Sequence, residues 1–268
     1  MKKAYVDLPE GQAHYRTEGS GIPIIMLHQT PFSSDDFTEV IQRLSGSFRA
    51  IALDTMGYGM SDRPGRPFQM EDYARTVRAF IQVLGLEKAT VVGHHTGAMI
   101  GVELAAAYPD SVERLILSGT PYDEPAAWEA LRPRLTINME PDADGAYLMD
   151  AWKKLSRHKD VVGAGPAVWH RGLVSMLMAW PGADDARRAV FDYDIGARLP
   201  LLKCPVLLLS GTHDTFVHRV NATQKMIPGS VVRMIEGGGP SLPLDMPAEF
   251  AQAIIDFMGS SAGDGRGH

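Results

Sequence analysis

The sequence predicts an α/β protein: a mostly parallel, eight-stranded sheet with helices on both faces and a helical cap. Three observations carry this. Short apolar runs alternate with helical periodicity over residues 1–121 and again over 201–258, the pattern of a parallel sheet covered on both sides. Between them, residues 122–200 hold all four tryptophans (Trp128, Trp152, Trp169, Trp180) in helical patterns, without a clear strand. Finally, one strand run ends in Gly93-His94-His95-Thr96-Gly97, and a helix-forming run opens within two residues.

Taken in order, strands are predicted at 4–8 and 12–17, either side of the turn pair Glu10-Gly11. The continuous apolar run 22–27 reads as a buried strand ending in His28-Gln29-Thr30-Pro31. Residues 35–44 read as a helix, with Ser33 or Ser34 available as its cap. Strand 48–53 then runs into the segment 54–62. Over 73–84, Val77, Phe80, Ile81 and Leu84 share one helical face, and Gly85 stops the helix. Strand 89–92 enters the glycine-framed turn, helix 96–108 leaves it, and strand 112–117 closes at Ser118-Gly119-Thr120-Pro121. After the insertion come strand 206–210, helix 217–226, strand 231–235 and helix 247–258, the last with proline at its start. The Gly/Ser-rich residues 259–268 read as a disordered tail. The division expected is a core of 1–121 plus 201–258, carrying a cap of 122–200.

Composition narrows the function classes. A hydrophobic content of 45% and a charged content of 22% are those of an ordinary globular protein. The net charge of −6, without any basic run, argues against a nucleic-acid partner. The lone Cys204 excludes an internal disulfide and a cysteine metal cluster, and its strand-like surroundings read as packing. Two lysines open the chain without an apolar segment behind them, so no signal peptide is expected, and no apolar run approaches spanning length. The expectation is a soluble cytoplasmic protein with no membrane partner that handles a small molecule. Its oligomeric state stays open, a homodimer included.

Glycines stand two positions either side of His95, the spacing of G-x-S-x-G, a turn that exposes a nucleophile above a sheet. Four further segments match in order: Leu27-His28, residues 54–64 with their D-x-x-G-x-G-x-S-x-x-P spacing, residues 208–214 ending in Asp214, and residues 239–247. With these the chain resembles the α/β-hydrolase-fold superfamily over nearly its whole length. The resemblance implies that His95 holds the nucleophile position, Pro240 the catalytic-histidine position and Asp214 the acid position. It also implies oxyanion donors at the Thr30 and Thr96 amides, with Gln29 replacing the glycine that usually follows His28. A serine esterase needs a hydroxyl, an imidazole and a carboxylate, and two of these are absent where they should be.

The space left by Pro240 suggests that His95 leans toward Asp214 to form a dyad. Such a pair serves as a general base, or attacks a carbonyl directly, and the sequence does not separate the two. The function expected is a cofactor-independent hydrolase-fold enzyme acting on a small apolar carbonyl compound. Ester or lactone hydrolysis fits, and so does a lyase or isomerase step begun by proton removal. The alternative is a silent pseudo-hydrolase that binds a ligand under its cap. Trp169, His170 and Met176 are the candidate pocket wall, beside their plainer reading as cap core. His28 and His94 read chiefly as loop supports, His213 and His218 as surface-loop residues able to replace the missing imidazole, and Asp123 as a solvated hinge residue. No metal site is expected, because adjacent histidines diverge from a tight turn and no helical histidine pair is present.

Overall fold

The computed structural model of the chain describes residues 1–123, 125–135, 138–158 and 165–260. One sheet holds β1 (Lys2–Leu8), β2 (Gly11–Glu18), β3 (Ile22–Leu27), β4 (Phe48–Leu53), β5 (Ala89–His94), β6 (Val112–Ser118), β7 (Val206–Gly211) and β8 (Val231–Ile235). Their order is β1-β2-β4-β3-β5-β6-β7-β8, with the β1–β2 and β2–β4 pairs antiparallel and all others parallel. The central strands are unbroken apolar runs because both of their faces are covered. Their alternation feeds two cores: Ile25, Leu27, Val91 and Leu115 on one side of the sheet, Ile24, Met26, Val92 and Ile116 on the other.

Helices α1 (Thr38–Leu44) and α11 (Pro247–Gly259) close the second core through Val40, Ile41 and Phe250. Helices α2 (Met70–Val83) and α3 (Thr96–Ala107) close the first through Val77, Phe80 and Val102. The Ser33 hydroxyl accepts from the Asp35 amide, so the predicted cap is made, although the chain first forms a 3-10 turn, Ser34–Phe37, before α1. Helix α2 starts three residues earlier than its apolar face suggested. The side chains of Gln69 and Asp72 cap its first turn reciprocally. Strand β5 runs two residues further than predicted, because Gly93 and His94 stay on the parallel ladder beside Leu117 and Ser118.

Between β6 and β7 lie α4 (Pro125–Leu135), α5 (Ala146–Leu155), α6 (Pro166–Met178), α7 (Asp185–Phe191) and α8 (Ile195–Arg198), with no strand among the described residues. Met176, Ala186 and Val190 join the same core cluster as α2 and α3, so this segment is packed down on the sheet's cover. Arg198 and Tyr193 both bond the buried Glu103 of α3, tying the returning chain to the core. The short α9 (Val220–Met226) and α10 (Leu242–Asp245) complete the connections around β8. No described helix is long and apolar enough to cross a membrane. Gly259 ends α11 and Ser260 caps it, so the expected tail does not begin at 259, and 261–268 lie outside the described residues.

The close approach of α3 to the sheet depends on two missing side chains. A Cβ on Gly93 would stand 2.2 Å from the Gly97 carbonyl oxygen, and one on Gly97 would stand 2.0 Å from that of Leu27. Both obstacles are backbone and cannot turn aside. Gly97→Ala is therefore expected to destabilise by about 3 kcal/mol or more in urea unfolding. Gly46→Ala, whose Cβ meets nothing within 4 Å, serves as the near-neutral control.

Candidate active site

The turn between β5 and α3 positions the central residue. His95 sits at φ 47°, ψ −110°, and is the only non-glycine residue at positive φ among those described. Backbone bonds lock it there: its amide donates to the Ser118 carbonyl at 2.9 Å, and its own carbonyl accepts from Ala98 and Met99. A backbone of this kind costs about 1–3 kcal/mol and persists where its surroundings hold it.

The ring leans as its position suggested. Nε2 donates to Oδ2 of Asp214 at 2.8 Å, and Asp214 Oδ1 accepts from the Phe216 amide at 2.8 Å. Burial alone would raise the Asp214 pKa, but the His95 ring and the Phe216 N–H outweigh it and hold the carboxyl below its ordinary value. An ionised carboxylate only accepts, so Nε2 carries the proton. Room for the ring comes from Gly119, whose absent Cβ would fall 2.4 Å from Cδ2 of His95 and 2.7 Å from Asp214 Oδ2. The Cδ2–Nε2 edge thus lies against bare backbone, which leaves Nδ1 on the opposite edge without a hydrogen-bond partner among the described residues.

His94 supports the turn from below. Its Nε2 donates to the Pro240 carbonyl at 3.0 Å, so the neutral ring accepts at Nδ1 from the Ser118 hydroxyl, also at 3.0 Å. Burial, then the neighbouring His95, pulls its pKa down to about 3. His28 is a second buried support: Nδ1 donates to the Gln29 carbonyl, and Nε2 accepts from the Thr55 amide and hydroxyl. It does not reach the cavity wall, which corrects its assignment to the substrate-binding set; its nitrogens are used within the core.

A cavity of about 180 Å³ lies between the C-terminal ends of the strands and helices α4 to α7, the usual ligand position in a parallel sheet. His95, Gln29, Thr30 and Thr96 all line it. The Thr30 amide donates to the Thr96 hydroxyl at 3.4 Å, and Thr96 opens α3, which brings both threonines beside His95. Trp169 and Met176 line the opposite wall, but His170 does not and is exposed. The helix explains this: seven residues is close to two turns, which puts 169 and 176 on one face, whereas residue 170 is turned about 100° away.

The other histidines stay outside. His213 and His218 are exposed, and neither bonds Asp214. Asp123 is not a solvated hinge residue: its side chain is shielded and pairs with Arg219 at 3.0 Å and His218 at 3.1 Å. Cys204 is partly buried, and that burial pushes its thiol up to about 11. The wall is also less apolar than expected, since Lys154, Arg157, Arg187 and Asp245 all line it. Lys154 and Arg157, one helical turn apart, were the available signal; on a cap helix such residues read as solvated. Three buried side-chain atoms at the wall, Gln29 Nε2, Trp169 Nε1 and Asp245 Oδ1, have no hydrogen-bond partner among the described residues.

The comparisons agree with this architecture. Residues 22–151 match the profile of the alpha/beta hydrolase fold family. An uncharacterised Mycobacterium tuberculosis protein is 35% identical over 91% of this chain and 77% of its own length. Haloalkane dehalogenase 2 of Mycobacterium tuberculosis is 29% identical over 97% of this chain and 96% of that protein. The crystal structure of E-2-(acetamidomethylene)succinate hydrolase superposes with a TM-score of 0.79 at 25% identity, covering 97% of this chain and 99% of that one. The chain belongs to the α/β-hydrolase fold family.

His94 gives the fold a predictable acid sensitivity. Its folded pKa, about 3, lies below the ordinary 6.5, so below pH 6.5 the unfolded chain binds a proton that the folded chain refuses. The stabilisation is complete above pH 6.5 and falls by about 1.4 kcal/mol per pH unit as the pH drops toward 3. Urea midpoints measured across pH 4–7 should therefore show a shallower loss for His94→Gln than for the parent chain.

Proposed function

We propose that this protein is a cofactor-independent enzyme in which His95, oriented by Asp214, acts as general base on a small carbonyl compound. One observation carries the reading: the 2.8 Å bond from Nε2 to Asp214, made by a residue on the cavity wall. With Nε2 committed to the carboxylate, neutral His95 presents a lone pair at Nδ1. That nitrogen adjoins the ring carbon bearing Cβ, so taking a proton is less crowded than attacking a carbon. Base catalysis is favoured over covalent catalysis on this ground.

In the reaction that fits, Nδ1 takes a proton from water, and the oxygen adds to the substrate carbonyl carbon. The oxyanion sits against the Thr30 and Thr96 amides. Collapse breaks the bond to the leaving group, which departs with the proton from His95. An ester, a lactone or another activated acyl compound meets these requirements, and the hydrolase relatives support hydrolysis over a lyase or isomerase step. His95 stands at the family's nucleophile position and Pro240 at its histidine position, so the acyl-serine route is replaced.

His95→Ala should reduce turnover of a responsive ester or lactone by about a hundredfold or more, while saturable binding of that compound persists. Equal cleavage by both proteins across a panel would overturn the base assignment. Binding without product in the parent chain would favour a ligand-binding protein instead. The positional reading has its own check. His95→Ser with Pro240→His should restore ordinary esterase activity toward p-nitrophenyl acetate, and a folded but inert double variant would count against it.

A further inference from the structure

The cavity wall is unusual for a chain of net charge −6. Lys154 and Arg157, from α5 and the turn after it, face the same space as Arg187 of α7. These cations feel one another: burial first, then Arg157 and Arg187, holds the Lys154 pKa below its ordinary value. Arg187 is buried and keeps its charge, its pKa brought down by burial only to about 10, with Asp184 as its ion-pair partner. Cations brought together on a cavity wall give it a positive potential, which favours the entry of an anionic group.

The remaining polar groups of the wall point the same way. Gln29 Nε2 and Trp169 Nε1 are buried donors without an acceptor among the described residues. Asp245 also lines the wall, and burial pushes it up to about 7, toward the protonated form in which it donates. A wall that offers donors and positive charge is complementary to an acceptor-only group. A carboxylate is such a group, and its planar pair of oxygens matches a guanidinium fork.

Resting on the proposed carbonyl chemistry at His95, we propose that the substrate carries a carboxylate, held on the cap side of the cavity by Lys154, Arg157 and Arg187. The catalytic groups lie on the sheet side, so this carboxylate is remote from the reacting carbonyl. An apolar body lying along Trp128, Trp169 and Met176 joins the two ends. A compact, mostly apolar cavity suits a singly charged planar group better than a phosphate, which demands more donors.

Calorimetric titration with phenylacetate, 3-phenylpropionate and hexanoate, each beside its uncharged amide, tests this without turnover. At least one acid should bind about tenfold or more tightly than its amide. That preference should shrink several-fold in Lys154→Met and Arg157→Gln, which change the less buried cations and leave the Arg187–Asp184 pair intact. Acids and amides that bind alike throughout would overturn the proposal, as would a preference untouched by both variants. Inorganic phosphate binding more tightly than every acid would overturn the carboxylate assignment. His95→Ala should keep the preference. If it does while the parent chain turns nothing over, the base reading fails and the carboxylate site stands.

Discussion

The left-handed backbone at His95 is the constraint on which the site depends. It exists because three neighbours lack a Cβ: Gly93 and Gly97 let α3 press onto β3 and β5, and Gly119 clears the ground under the imidazole. The hydrogen bond from the His95 amide to Ser118 ties the turn to the adjacent parallel strand. A residue so held has little freedom in where its side chain starts, and the Asp214 carboxylate fixes where the ring ends. For the base proposed at His95, pre-organisation of this kind removes the ordering that a mobile group would require.

Two adjacent histidines, their ring centroids 4.4 Å apart and their planes tilted by 32°, are kept in different surroundings. His94 is enclosed, neutral and spent on two hydrogen bonds within the core. His95 has one nitrogen on a buried carboxylate and lines the cavity. Chemically alike neighbours thus differ because β5 points one of them inward, whereas the turn throws the next one out.

Much of the architecture was legible because parallel strands are short, apolar and separated by turn residues. The run 22–27 and the alternation after it needed no tertiary information. The dyad was legible for a related reason: a glycine-framed turn fixes where residue 95 must stand, although Gly119 supplies the room for its ring that the sequence suggested at Pro240. Local signals failed where tertiary partners decide. Nothing in Gln69 announces a helix start, because its cap depends on Asp72 reaching back. His170 reads like its pocket-lining neighbour until helical phase separates them. Nothing in the sequence singles out Arg187, because sequence cannot show that α7 places this residue on a cavity wall.

The division of hydrogen bonds has a consequence for how this chain can change. Among the described residues, the bonds holding the dyad run to Ser118, Ala98, Met99 and Phe216, and Pro240 is fastened through His94, all on the sheet side. Among the described residues, the cap lends cavity wall and charge, and meets the surroundings of the His95 ring through Trp128, which packs on Phe216. The bonds that position the His95 ring and the residues that form most of the cavity wall are therefore largely different sets. Exchanging the cap helices for those of a relative would alter which molecules enter, while the His95–Asp214 bond stayed with the sheet-side scaffold.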